Sequence, residues 1–208
     1  MPFIFSPQIK TKKGEKMLEL KLSIATIAAT LIGVSVYAAD KPSTIIKQRV
    51  VIDAEIDQAW QVLGPEYAQA YKWGSSITHS EARNNESLNG STCTERGCSV
   101  SGMGNVKEKI LQYSEDEHIL SYEVIEGMPK MVDHAVNTWK LSPAEGNKTL
   151  LEMQIDMGTR GFLGWMMGGM MKMKMTKLSK EISEEFKYYV ETGKPHPRKI
   201  KSISKNKG

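Results

Sequence analysis

The chain has 208 residues, 40% of them hydrophobic, a formal net charge of +4 and two cysteines, which fits one domain with a sizeable core. Residues 1–38 hold five lysines and two glutamates, leaving 23 basic and 22 acidic side chains, and six of those basic ones lie between Lys194 and Lys207. The body between is slightly acidic, which argues against a nucleic-acid partner, since that needs a basic face on the domain itself.

Leu22 to Val36 is an apolar run with Lys21 before it and Val36-Tyr37-Ala38 at its end. This pattern predicts a secretory signal peptide cleaved near Ala38. The run is shorter than the ~20 residues of a comfortable membrane span, although an uncleaved anchor is the alternative. No Cys follows it to carry a lipid. Met17 is expected to be the true start, because Gly14-Glu15 is encoded by GGN-GAR, which can spell a purine-rich ribosome-binding sequence. The mature chain then begins near Ala39 and is periplasmic or secreted. The expected organisation is an upstream extension plus signal peptide over 1–38, one domain over 39–193, and a basic disordered tail over 194–208.

Within the domain, residues 44–52 are rich in β-branched side chains and predict a strand. Two short helices follow, 58–63 and 66–71, the first with Asp57 as N-cap and broken by Gly64-Pro65. Residues 73–83 read as a strand, 84–90 as a polar turn, and 91–100 as a segment holding both cysteines. Four more strands are expected at 106–113, 119–125, 132–141 and 149–157, separated by turn chemistry such as Gly127-Met128-Pro129. The strands alternate. Leu151, Met153, Ile155 and Met157 oppose Glu152, Gln154 and Asp156; Ala135, Asn137, Trp139 and Leu141 oppose His134, Thr138 and Lys140; Leu120, Tyr122 and Val124 oppose Ser121 and Glu123. One face of the sheet is therefore dry.

The cover for that face is a long helix from Gly161 to Thr192, ended by Gly193 as a left-handed cap and by Pro195. At ~100° per residue, Met167, Met171, Met175, Leu178, Ile182, Phe186 and Tyr189 form a core stripe. Leu163, Met166, Met170 and Met173 form a second stripe in the first turns only. Either the start of the helix is buried on both sides, or its extra Met face borders a cavity or an oily surface, a use that suits flexible, polarizable thioethers. A cavity of several hundred Å3 is the expectation, with its mouth near Trp165 to Met170. Strand, two small helices, antiparallel strands and one long helix make an α+β order.

This order resembles the helix-grip fold of the SRPBCC (START and Bet v 1-like) superfamily, in particular the bacterial polyketide cyclase/dehydrase and lipid-transport group. Residues carrying the resemblance are Val51-Ile52-Asp53-Ala54, Asp57-Gln58-Ala59-Trp60-Gln61-Val62-Leu63, Trp73, Arg96, Val106-Lys107-Glu108-Lys109-Ile110, Leu120-Ser121-Tyr122-Glu123-Val124 and Asn137-Thr138-Trp139-Lys140-Leu141-Ser142-Pro143, with the final helix. The resemblance covers roughly 44–192. It implies a curved antiparallel sheet of six or seven strands gripping the helix around an apolar cavity, and ligand binding more than any one reaction. The implied cavity residues are Trp73, Arg96, Glu108, Tyr122, Trp139, Met153, Met157, Met167, Met170 and Met171.

Arg96 and Glu108 fall where this family often places an Arg on one strand and a Glu on the next. Glu108 is in phase with Val106 and Ile110, so it can point inward, and a buried carboxylate needs a partner. The pair either fixes a ligand's polar head or braces the sheet. Cys93 and Cys98 would lie ~16 Å apart on one continuous strand, too far for a bond. An exported chain favours a disulfide, which requires residues 94–97 to turn; Gly97 permits that, at the expense of a straight strand through Arg96. His79, His118, His134 and His196 show no metal spacing. No P-loop, nucleophile elbow or dinucleotide fingerprint is present, and no cofactor is implied.

Three functions compete. The first is an exported carrier or sensor for an apolar or amphipathic small molecule, with transient membrane-surface contact. The second is a cyclase or dehydratase-like enzyme using Glu108 or His79 as acid or base. The third is a Cu(I) protein using the soft ligands Met166, Met170 and Met173.

Overall fold

The computed structural model describes residues 43–205. The signal-peptide, start-site and cleavage expectations lie outside the described residues. Seven antiparallel strands form one sheet in the order β1-β7-β6-β5-β4-β3-β2: β1 Ser43–Ile52, β2 Ile77–Ala82, β3 Glu95–Val100, β4 Gly104–Ser114, β5 Ile119–Glu126, β6 Val132–Ala144 and β7 Lys148–Thr159. Strands β2 to β7 follow one another as a meander, whereas β1 lies at the far edge beside β7. The two consecutive strands β1 and β2 are thus at opposite edges. The chain crosses between them through helix α1, Ile56–Leu63, and a 3-10 helix, Tyr67–Lys72. Trp73 caps the latter, so the strand expected from residue 73 begins at Ile77.

Alternation sets which face is dry. Leu151, Met153, Ile155 and Met157 on β7 are buried, as are Ala135, Trp139 and Leu141 on β6. In β4 the register shifts between Ile110 and Gln112. This bulge leaves Leu111 half in solvent and moves the inward phase from Val106, Glu108 and Ile110 to Tyr113.

Helix α2, Gly161–Thr192, lies on the dry face and ends where expected: Gly193 is left-handed at φ 65° and its N–H bonds the Tyr189 carbonyl at 2.8 Å. Its grip is tightest near its C-terminal end. Phe186, fully buried, stands edge-on to Trp73 and Trp139, with centroids 5.4 and 5.6 Å away. Toward the N-terminal end the packing loosens, and a side chain added at Gly168 or Gly169 would meet open space.

Within the described residues, the tail is ordered where its composition suggests disorder. Residues Pro197–Lys205 form helix α3, with Pro in the first turn, where a missing N–H costs nothing. Two of its basic side chains have specific acceptors. Arg198 donates to Glu185 at 2.8 Å and pairs with Glu184 at 2.9 Å, while the buried Lys199 donates to the Ile77 carbonyl at 2.7 Å. Glu185, itself fully buried, also accepts from the backbone and hydroxyl of Ser75. The basic segment is therefore held to the start of β2 by bonds that lysine content alone does not reveal.

Candidate functional site

Between α2 and the sheet lies a cavity of about 110 Å3. Met153, Ile155, Ala135, Asn137, Trp139, Tyr122 and Val124 line it from β7, β6 and β5; Val106, Glu108, Arg96 and Val100 from β4 and β3; Met175, Leu178, Ser179 and Ile182 from the helix. Met103 and Met128, from the turns after β3 and β5, and Ser76 and Ile77 at the start of β2 also line it, and Met103 is exposed. The wall is largely apolar, as a small-molecule site should be.

Of the residues expected around a cavity, Arg96, Glu108, Tyr122, Trp139 and Met153 line it. Trp73 and Met157 do not: both are buried in solid core, Trp73 against Phe186 and Trp139. Met167, Met170 and Met171 are also absent from the wall, and Met170 is exposed. The helix crosses the cavity one to two turns later, at Met175 to Ile182, so the mouth is not at Trp165 to Met170. The volume is also well below several hundred Å3, because the Trp73–Trp139–Phe186 cluster fills one end and the Arg96 assembly fills a side.

That assembly is built by register. Arg96 on β3 pairs directly with Glu108 on β4, so both side chains leave the same face of the sheet. Arg96 Nε donates to Glu108 Oε2 at 2.6 Å, and Nη1 donates to the Tyr67 carbonyl at 2.7 Å. The same carboxylate oxygen accepts from the Tyr67 hydroxyl at 3.2 Å and the Cys98 thiol at 3.5 Å. The guanidinium lies 3.8 Å from the Tyr67 ring centre and 5.3 Å from that of Tyr122, two rings that also contact each other at 5.4 Å, so it has cation–π contact with both. Burial opposes the Arg96 charge, but Glu108 and then Tyr67 keep its pKa raised. Burial, with Glu108 adding to it and Arg96 opposing, pushes the Tyr122 hydroxyl up to about 12. Burial likewise pushes the Cys98 thiol up to about 12, with Arg96 opposing. Since these folded values exceed the unfolded ~8.5 and ~10, the two groups leave stability unaffected below those values and erode it as the pH rises toward about 12.

Asn137 is the polar residue on the dry face of β6. Its amide nitrogen donates to the Tyr122 hydroxyl at 2.9 Å, while its amide oxygen is buried with no partner among the described residues. The sequence held a signal for it, an amide in a strand phase otherwise filled by Ala135, Trp139 and Leu141. Tyr67, on the 3-10 helix, gave no such signal.

The other candidates lie elsewhere. His79 stands in solvent on β2, stacked on Tyr71 and 3.4 Å from Glu81, so it does not reach the cavity. Met166, Met170 and Met173 face outward, exposed. Cys93 and Cys98 are both free and buried, which corrects the expected disulfide. The strand won over the turn: β3 is paired with β4 from Glu95 onward, so the segment that would have to bend is already extended. Thiol titration of unfolded, unreduced protein is expected to find two thiols per chain, and the folded protein to react slowly near pH 8 because burial disfavours both thiolates. Finding none after unfolding would contradict the free state.

Solved structures share this architecture at low identity. A START superfamily protein from Mycobacterium smegmatis aligns over 71% of this chain and 97% of its own with a TM-score of 0.56 and 14% identity. XoxI from Bacillus cereus gives 0.55 over 72% and 94% of the two chains, at 12% identity. A norcoclaurine synthase point mutant from Thalictrum, solved with a transition-state analogue, gives 0.51 over 69% and 96%, at 14% identity. No curated protein matches the chain. The family model described as polyketide cyclase/dehydrase and lipid transport matches residues 43–191, and with the helix-grip sheet and its apolar cavity in place, the chain belongs to that family of the START/Bet v 1-like superfamily.

Proposed function

We propose that the protein is an exported carrier or sensor that holds a small, neutral, apolar or amphipathic molecule in the cavity under α2. The observation that carries this reading is the unpartnered end of the Asn137 amide in a largely apolar wall whose charged groups, Arg96 and Glu108, already pair with each other. A buried acceptor left unpaired costs ~1–3 kcal/mol, and a ligand hydroxyl or amide N–H donating to the Asn137 oxygen would remove that cost. A neutral head group is favoured over a charged one because the Arg96 and Glu108 charges already satisfy each other. A volume of about 110 Å3 suits a single ring or a short chain, by comparison with the ~150 Å3 cavity that accepts benzene. Larger guests require the loosely packed first half of α2 to move.

Catalysis has less support. The one carboxylate in the wall, Glu108, takes Arg96, Tyr67 and Cys98 on a single oxygen, and Tyr122 holds its proton at ordinary pH. Neither is poised as a base. Export rests on the apolar run Leu22 to Val36 and its Ala38 boundary.

The test is native mass spectrometry of protein taken from the exported fraction of the producing cell. The chain is expected to begin at Ala39 or Asp40 and to carry one neutral small molecule, which Asn137→Val should lose while keeping its fold. A cytoplasmic full-length chain would contradict export. An Asn137→Val protein that retains the molecule would contradict the role given to the amide.

A further inference from the structure

The first half of α2 turns an apolar stripe outward. Phe162, Trp165, Met166 and Met173 are 72%, 79%, 58% and 70% exposed. At ~100° per residue they share one face, opposite the face that Gly164, Met175 and Ile182 turn toward the sheet. A helix on a protein surface ordinarily turns polar residues to water. Here the outward residues are two aromatics and two thioethers, which in this arrangement cost solubility and contribute nothing to the core.

Charge accompanies the stripe. Between Asp156 and Glu181 the sequence contains no acidic residue and five basic ones, Arg160, Lys172, Lys174, Lys177 and Lys180, all exposed. Lys177 and Lys180 continue the stripe itself along the helix. The body of the protein is acidic on balance, so this local excess of one sign is a property of this face.

We propose that this face docks on the surface of an anionic lipid bilayer, with Trp165, Phe162 and the methionines at the headgroup–acyl boundary and the lysines on the lipid phosphates. An apolar stripe flanked by lysines is the composition that binds such a surface in plane, and Trp is at ease there, with an apolar body and a polar N–H. A second copy fits worse. A two-fold contact would set the same five cations against themselves. The docked stripe ends at Met173, within about one and a half turns of Met175 and Leu178 in the cavity wall, so docking brings the cavity close to the bilayer. Docking asks nothing of the cavity, so vesicle binding and ligand binding succeed or fail separately.

The test uses the full chain with two kinds of vesicle, phosphatidylcholine alone and two parts phosphatidylcholine to one part phosphatidylglycerol. Cosedimentation is expected with the second kind, weakening about tenfold or more from low to high salt as the lysines are screened. Trp60, Trp73 and Trp139 are already buried, so a blue shift of tryptophan emission on docking reports Trp165. The double variant Trp165→Glu, Met166→Glu changes only exposed positions and is expected to lose binding by about tenfold or more. Replacing the four lysines with Gln should remove the preference for phosphatidylglycerol. Absence of binding to either vesicle would overturn the proposal. So would undiminished binding of the double variant, which would assign the contact to the apolar residues 22–36, or a vesicle-independent dimer dissolved by the same two substitutions, which would assign the face to a second copy.

Discussion

Replacing Arg96 with Met is expected to cost ~3–5 kcal/mol in equilibrium unfolding, whereas replacing Arg96 and Glu108 together with apolar residues should cost much less. The asymmetry follows from the burial of both partners, whose side chains are 4% and 9% exposed. Removing the guanidinium alone leaves a carboxylate in low dielectric with only the Tyr67 hydroxyl and the Cys98 thiol to hold it. Removing both charges removes the problem that each solves for the other. Recovery should still be incomplete, because Arg96 also satisfies the Tyr67 carbonyl and packs against the Tyr67 and Tyr122 rings. Urea titration of the two single variants and the double variant measures the coupling directly. Equal and additive losses would show that the pair does not act as one unit.

Phe186→Ala is the second large loss, again ~3–5 kcal/mol. Phe186 is fully buried at the tightest point of the grip, and the Trp73 and Trp139 rings that pack edge-on to it come from opposite sides of the site, one after the 3-10 helix and one from β6. Neither indole can close the space without leaving the other, because they also touch each other at 6.4 Å. The loss therefore includes the cavity as well as the transferred ring. The same substitution at Met173, 70% exposed, should change stability by no more than about half a kcal/mol. A Phe186→Ala loss below about 1 kcal/mol in urea unfolding would mean that the helix is gripped elsewhere.

The fold was legible in the sequence where a period decides the matter. The alternation in Leu151 to Met157 and in Ala135 to Leu141 identified the dry face, and Gly193-Lys194-Pro195 marked the end of α2. The pairing of Arg96 with Glu108 followed from phase and from the need of a buried carboxylate for a cation. What failed depended on choices that periodicity leaves open. Period places Met167, Met171, Met175, Leu178 and Ile182 on one stripe, but only the crossing of helix and sheet decides which of them meets the empty space, and it is the later three. The Cys93–Cys98 bond set a turn against a paired strand, and continuous pairing of β3 with β4 from Glu95 to Val100 favoured the strand. The tail was misread because its lysines suggest solvent, while Arg198 and Lys199 find Glu185 and the Ile77 carbonyl, partners far away in sequence. Asn137 was placed on the dry face from sequence, yet its meaning emerged only when its amide oxygen proved to have no partner.

The cavity itself is tested most directly by titrating the protein with an environment-sensitive apolar dye and comparing wild type with Ala135→Phe. Ala135 is a small, buried side chain in the cavity wall on β6, so the added ring points into the space a guest would occupy. Wild type is expected to bind one dye per chain, displaced by small neutral amphiphiles. Ala135→Phe should lose that binding while its near-ultraviolet circular dichroism and unfolding transition remain those of a folded protein. Dye binding in Ala135→Phe equal to wild type, or none in either protein, would contradict a ligand site between α2 and the sheet.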